Sequence, residues 1–213
     1  MRSLPARLAL LLTLLSCASG AFRVHASTVL EMPFADILAH AELVFEGHVR
    51  DRESHRASDG LVYTTVHFDV LDVVKGDFRG SVLALSFLGG EVDGQHLQVT
   101  DMVMPEVGET GFYFVETLTR AQVNPLVGWS QGHFLVETQA DGRAGVLTAT
   151  HAPVLGLPQP DLPVSVQGMG VSSKGVAKGV VVTQALVAPA VARALSPEQF
   201  KAAVRAMLEV DEQ

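Results

Sequence analysis

The alternation of apolar and polar side chains over residues 43–90 is the strongest pattern in this chain. Between residues 62 and 70 every second position is apolar or threonine, which is typical of a β-strand with one buried face. Residues 43–49 predict a strand before it, and an Asp-Gly hairpin signal separates the two. Residues 82–87 predict a third strand that is apolar on both faces, which favours a central position in the sheet.

Several interruptions of this pattern predict local departures from a regular strand. Gly47 falls inside the first strand, and the alternation of the second breaks at Leu71, so both positions predict β-bulges. Gly89 and Gly90 follow the third strand and predict a corner, because two glycines allow backbone conformations that other residues avoid.

The periodicity changes to that of a helix at two places. After Pro33, four apolar residues (Phe34, Ile37, Leu38 and Ala41) recur at offsets of three and four and predict a short helix that ends at Ala41. Near the other end, Ser196 is a typical N-cap, with proline following it and Gln199 in the capping-box position. An apolar face then continues through this C-terminal helix.

Further short strands with turns between them predict a mainly β fold, namely a small antiparallel barrel with one helix near each end. We divide the chain into a signal peptide (1–26), a β-barrel domain (27–151), an irregular segment (152–195) and the C-terminal helix (196–213). Proline and glycine are frequent between Ala152 and about Ser173, which predicts an exposed linker.

The first 26 residues have the composition of a secretory signal. An apolar run over residues 8–15 is too short to span a bilayer, and cleavage after Ala26 or, alternatively, after Ala21 follows the small-residue rule. The sequence before Cys17 is an imperfect lipobox, so lipidation of this cysteine and a membrane anchor remain the alternative. We therefore expect a secreted or periplasmic protein, with membrane attachment only if Cys17 is lipidated.

Charge and cysteine content exclude several classes of function. Three of the 15 basic residues but none of the 23 acidic ones precede residue 27, which leaves 12 basic against 23 acidic in the mature chain. Nucleic acid is thus an improbable partner, because its binding requires a basic surface. Cys17 is the only cysteine, so a cleaved chain forms no disulfide and no thiolate site, and a 48% apolar composition must stabilise it by core burial.

The order of helix, strand and long twisted strand resembles the netrin-like module, the oligosaccharide/oligonucleotide-binding (OB) barrel of tissue inhibitors of metalloproteinases. The motifs that carry this resemblance are residues 43–49, residues 62–74 with Lys75-Gly76, and Val107-Gly108-Glu109 before residues 112–114. The chain also resembles uncharacterised exported bacterial proteins. The first resemblance implies a freed N-terminus, here Ser27 and Thr28, that chelates the zinc of an exported metalloprotease.

Candidate chemistry is sparse in the rest of the chain. The histidines show no metal-ligand spacing, although His48 and His67 fall on adjacent predicted strands, and we predict no metal site and no cofactor. Gly128 to Gly132 match G-x-S-x-G by letter, but no strand-to-helix elbow is predicted around Ser130. The predicted binding residues are Ser27, Thr28, Tyr113, Trp129, Gln131 and His133. Trp129, with Tyr113 or His133 nearby, forms a ligand-facing patch in one interpretation and covers one end of the barrel by packing in the other.

These observations favour an exported, non-enzymatic module that binds a protein or a component of the cell envelope. A protease inhibitor of the metalloproteinase-inhibitor type is one alternative, and a hydrolase with an unrecognised site is another.

Overall fold

The computed structural model describes residues 30–158, 175–182 and 193–211. Its elements in chain order are α1 (Phe34–His40), β1 (Leu43–Arg56), β2 (Val62–Lys75), β3 (Val82–Leu88), β4 (Gly90–Val92), β5 (Gln95–Leu97), β6 (Thr110–Val115), a 3-10 turn (Trp129–Gly132), β7 (His133–Thr138), β8 (Ala144–Thr148), β9 (Val154–Gly156), β10 (Val181–Val182) and α2 (Pro197–Asp211). The predicted signal peptide and Cys17 lie outside these residues. Within the described ranges no helix is both long enough and apolar enough to cross a bilayer.

Six strands form one antiparallel sheet in the order β3-β2-β1-β6-β7-β8. Two small sheets, β4 with β5 and β9 with β10, accompany it. The mainly antiparallel β fold with two helices is therefore confirmed. Closure into a barrel is not found in the part of the chain that is described, because β3 and β8 occupy opposite ends of the sheet and do not pair.

β3 is an edge strand, and the prediction of a central position is wrong. Its exposure alternates along the strand: Leu83, Leu85 and Phe87 are buried, whereas Ala84 and Ser86 face solvent. The small side chains on the outer face made the sequence read as apolar on both sides. Gly89 and Gly90 follow with φ of 115° and 130°, and they turn the chain into β4 as predicted.

The predicted bulge at Leu71 is present in the long β1–β2 ladder. Glu46 pairs with Asp72 and Gly47 pairs with Val70, so Leu71 on β2 is the extra residue, and Gly47 lies opposite this bulge rather than in a second one. A bulge bends the strand and increases its twist. The bent β1–β2 ladder contributes side chains to both of the apolar cores that the sheet separates.

The sheet has a core on each face, and the aromatic residues of β6 alternate between them. Phe112 and Phe114 point into the first core with α1, α2 and Phe200. Tyr113 and Val115 point into the second core, which holds the inner faces of β1, β2 and β3. Full burial of a large side chain stabilises a fold by roughly 1.5–3 kcal/mol, so both cores contribute substantially.

The described part of segment 152–195 packs on the first core. Val154, Val176 and Val180 are buried there, and β9 pairs with β10. Of the linker predicted from Ala152 to about Ser173, only residues 152–158 are described, and Val154 among them is buried rather than exposed. Residues 159–173 lie outside the described ranges, and Val176 and Val180 follow the predicted linker. The proline and glycine content of this segment predicts a loop, but it does not show which of the intervening apolar residues are buried.

The C-terminal helix begins as predicted and is fixed to the sheet by charge. The Gln199 backbone N–H donates to the Ser196 hydroxyl at 3.2 Å, and the Ser196 N–H donates to the Gln199 side chain at 2.9 Å, which is a capping box. One turn later the ammonium of Lys201 lies 2.9 Å from Glu46 on β1. It also contacts Asp72 at 3.3 Å and Glu198 at 2.8 Å.

Candidate ligand-binding cavity

A cavity of about 390 Å³ opens at the end of the sheet where β6 begins. Residues 103–110 form one wall, and β7 with the residues that follow β8 form the other. Its volume falls within the range of small-molecule and side-chain pockets. Four of its apolar lining residues are Val103, Met104, Val107 and Leu135, and its charged or titratable ones are Glu106, Glu109, Glu137, His133 and His151.

Strand pairing brings the buried polar residues of the cavity together. Tyr113 of β6 lies directly opposite His133 of β7, and their rings stack with centroids 5.2 Å apart. The chain before β6 is tied to β1 by two backbone hydrogen bonds, Val49 N–H to Glu109 at 2.8 Å and Gly108 N–H to Val49 at 2.9 Å. Gly111 allows β7 to approach β6 closely here, since a Cβ at this position would clash with the backbone carbonyl of Phe134 and would also lie 3.2 Å from the Tyr113 hydroxyl.

Glu109 is the acceptor on which this polar group converges. Its Oε1 receives the Tyr113 hydroxyl at 2.7 Å and the His133 Nε2 at 2.6 Å. Its Oε2 receives the Glu106 backbone N–H at 3.2 Å. Only 14% of the Glu109 side chain and none of the His133 side chain is exposed, so the carboxylate needs these donors to remain inside the protein.

The two acidic groups of this network respond oppositely to their surroundings. Burial alone would raise the pKa of Glu109, but the hydrogen bond and charge of His133, with the donors from Tyr113 and Glu106, hold it below its usual value. Burial, together with the neighbouring Glu109 charge, strongly raises the pKa of the Tyr113 hydroxyl. Glu109 is therefore ionised and Tyr113 is a neutral hydrogen-bond donor at physiological pH.

The carboxylate also fixes the proton on His133. An ionised carboxylate only accepts hydrogen bonds, so the Nε2 that faces Glu109 carries a proton. In the neutral ring Nδ1 is then an acceptor, and this buried atom has no hydrogen-bond partner among the described residues.

A second histidine–carboxylate pair lines the outer part of the cavity. His151 Nδ1 lies 2.7 Å from Glu137, and 66% and 43% of the two side chains are exposed. His151 has a φ of 61°, a left-handed conformation that directs the chain back after β8. The cavity thus holds one buried pair that is fixed by the sheet and one exposed pair at the solvent side.

Trp129 and Gln131 belong to a different feature, the 3-10 turn before β7. The buried Gln131 amide accepts the Met32 backbone N–H at 2.8 Å and donates to the Leu30 carbonyl at 2.9 Å. On the other side, Met32 accepts the Lys178 backbone N–H at 2.8 Å. We call residues 30–33 the N-terminal segment, and Gln131 anchors it without a disulfide. Trp129 is half-buried beside Gly128 in the 3-10 turn.

The structure therefore unites part of the predicted binding set and separates the rest. Tyr113 and His133 share one site, whereas Trp129 and Gln131 serve the N-terminal segment. Ser27 and Thr28 lie outside the described residues. The G-x-S-x-G turn around Ser130 leads into a strand rather than a helix, so the elbow of α/β-hydrolases is not formed there.

Sequence reasoning missed Glu109, Glu137 and the pairing of His151. The available signal was weak: Glu109 stands four residues before Tyr113 at the start of a strand, a position where a carboxylate is commonly solvated. His48 and His67 bond Thr110 and Asp51 rather than each other. Across the described ranges, no three histidine, cysteine or acidic side chains are grouped so as to hold a metal ion.

Comparisons with known proteins give no relative: no family model, no curated protein and no solved structure matches this chain.

Proposed function

We propose that the chain is an exported binding module that receives part of a protein or envelope component in the cavity around Glu109. The single observation that carries the proposal is the cavity itself, which is open to solvent and built on paired strands. Its polar groups are held by the β6–β7 register and by the bonds of residues 108 and 109 to β1, so they are positioned before any ligand arrives. Preorganised polar groups reduce the entropic cost of binding.

Apolar and charged residues divide the cavity in a way that suits recognition. Val103, Val107 and Leu135 provide contact area, while the Glu109 and Glu137 carboxylates provide direction. No serine or cysteine is among the residues that line it. A hydrolase with a serine or cysteine nucleophile would therefore need that residue from elsewhere, and the fixed polar groups beside apolar ones favour holding a ligand.

Site-specific photocrosslinking in the native cell envelope tests this proposal. A photoreactive phenylalanine analogue replaces Val107 at the rim of the cavity, where 60% of the side chain is exposed. The matched control carries the analogue at Leu71, which is 57% exposed and lies on β2 away from the cavity. We expect a discrete crosslinked species from Val107 alone; equal or absent crosslinking at both positions would contradict a binding role of the cavity.

A protease inhibitor remains a second candidate because of the N-terminal segment. The resemblance to the netrin-like barrel implies an N-terminus that is held rigidly, and here the Gln131 amide supplies an anchor in place of a disulfide. Cleavage after Ala26 would place Ser27 three residues before Leu30, within roughly 10 Å of it. Leu30 is 81% exposed, so this end of the chain is accessible to a partner.

Mass spectrometry of the mature N-terminus and an inhibition assay test the second candidate. A start at Ser27 and stoichiometric inhibition of a zinc endopeptidase would support it. A start at Cys17 with a lipid attached, or full protease activity after mixing, would refute it and leave the cavity proposal intact.

A further inference from the structure

We propose that the ligand of the cavity carries an alkylammonium or guanidinium group, as a lysine or arginine side chain or a free aliphatic amine does. This inference rests on the binding function proposed above and adds the chemical class of the ligand. It follows from the hydrogen-bonding capacity and charge of the lining.

The first argument is the sign of the charge. Three carboxylates line the cavity, Glu106, Glu109 and Glu137, and none of the lining residues is a lysine or an arginine. Arg52 does not line the cavity; its exposed guanidinium contacts the sulfur of Met104 at 3.3 Å. A site with this charge favours cations and opposes anions.

The second argument is the direction of the hydrogen bonds. Nδ1 of the buried His133 makes no hydrogen bond among the described residues, and Nε2 is already engaged with Glu109. Nδ1 of His151 is likewise engaged with Glu137 at 2.7 Å. The ionised carboxylates of the lining are pure hydrogen-bond acceptors, whereas ammonium and guanidinium groups are pure donors.

The third argument is the apolar lining. Val103, Val107 and Leu135 lie in the same cavity as the carboxylates. Lysine, arginine and aliphatic amines bury their methylene stems on apolar surfaces while the charged end reaches polar groups. A cation without a stem, such as a metal ion, would leave these residues unused, and within the described residues no three histidine, cysteine or acidic side chains are grouped so as to hold one.

Methyl NMR titration of the mature protein tests the inference with small probes. The cationic probes are N-acetyl-lysine methylamide, N-acetyl-arginine methylamide and 1,5-diaminopentane, and the last distinguishes a free amine from a peptide side chain. The comparison probes are N-acetyl-glutamine methylamide, which is neutral, and N-acetyl-glutamate methylamide, which is an anion. We expect the cationic probes to shift the methyl signals of Val107 and Leu135 but not those of Leu71, with weaker shifts at high salt.

Glu137→Gln supplies the matched variant, because Glu137 lies at the exposed side of the cavity and its loss leaves the buried network intact. We expect it to raise the dissociation constant of the cationic probes by about twofold to fivefold, as for a charge pair near a protein surface. Glu91→Gln removes the same charge on the exposed β4 and should leave binding unchanged.

Equal binding of the glutamine or glutamate probe, or equal effects of the two variants, would overturn the inference. If Val107 still crosslinks an envelope component while the cationic probes fail to bind, the binding function stands and only the ligand class is refuted. If crosslinking fails as well, both proposals fall.

Discussion

Tyr113→Phe is the most direct test of the buried network around Glu109. The substitution keeps the ring and its packing against Phe45, Phe68 and His133, and removes only the hydroxyl that donates to Glu109 at 2.7 Å. A hydrogen bond to a charged group contributes about 1.5–3 kcal/mol, so we expect a loss of that size in the free energy of unfolding at pH 7. With a urea m value of about 2 kcal/mol/M, the midpoint falls by roughly 1 M.

The size of this loss should depend on pH. The pKa of Glu109 in the folded state lies below its usual value of 4.5, so the ionised carboxylate contributes stability that is fully present above pH 4.5. This contribution is lost as the pH falls through the folded-state pKa, because protonation of Glu109 then weakens its bond to the Tyr113 hydroxyl in the parent protein too. We expect the difference between parent and variant to persist from pH 7 to pH 4.5 and to shrink as the pH falls below 4.5 toward the folded-state pKa.

Tyr63→Phe is the matched control for this measurement. Tyr63, the other tyrosine of the chain, stacks on His55 at 6.4 Å and makes no hydrogen bond through its hydroxyl within the described residues. Urea unfolding monitored by circular dichroism should give it a change below about 0.5 kcal/mol, as for a surface substitution. Equal losses in the two variants, or a Tyr113→Phe loss that does not change with pH, would refute a charged Glu109 as the centre of the network.

Three further predictions concern the attachments at the two ends of the described chain. Lys201→Met removes the cation that faces the Glu46 carboxylate and should lower the free energy of unfolding by about 3 kcal/mol, the low end for a broken buried pair, since two of its partners reach solvent. Arg205→Met, at a half-exposed position, should lower it by less than about 1 kcal/mol in the same urea assay. Equal losses would contradict the role of Lys201 in anchoring the helix. Gln131→Ala should speed amide exchange in the N-terminal segment by about tenfold, as measured by hydrogen exchange and mass spectrometry. Ser130→Ala should leave the exchange rate unchanged. Equal exchange rates in the two variants would show that other contacts hold this segment. Ser196→Ala should cost about 1 kcal/mol through the lost cap, and an unchanged urea midpoint would contradict the capping box.

The sequence was most informative where the structure depends on neighbouring residues. The capping box at Ser196 and the bulge at Leu71 were predictable because each is defined by a few adjacent positions. The edge position of β3 was not predictable in this way. A strand with alanine and serine on its outer face resembles a central strand in composition, and the pairing that decides the matter is set by distant segments.

The candidate site was only half predictable for the same reason. Tyr113 and His133 stood out as residue types, but the carboxylate that joins them is 24 residues from His133 and reaches it only because β6 and β7 pair in one register. Nothing local to Glu109 shows that it will be buried. Likewise, the role of Gln131 depends on a contact with the N-terminal segment, because its amide donates to the carbonyl of Leu30, which lies 101 residues earlier in the chain.

The alternating aromatic residues of β6 have a consequence for how the molecule unfolds. Phe112 and Phe114 belong to one core and Tyr113 and Val115 to the other, so a single stretch of backbone supports both. If β6 separates from one core, its other side chains leave the second core at the same time. The two cores should therefore unfold in one cooperative transition. A destabilising substitution in the first core, which the helices cover, should also weaken the buried network around Glu109 on the other face of the sheet.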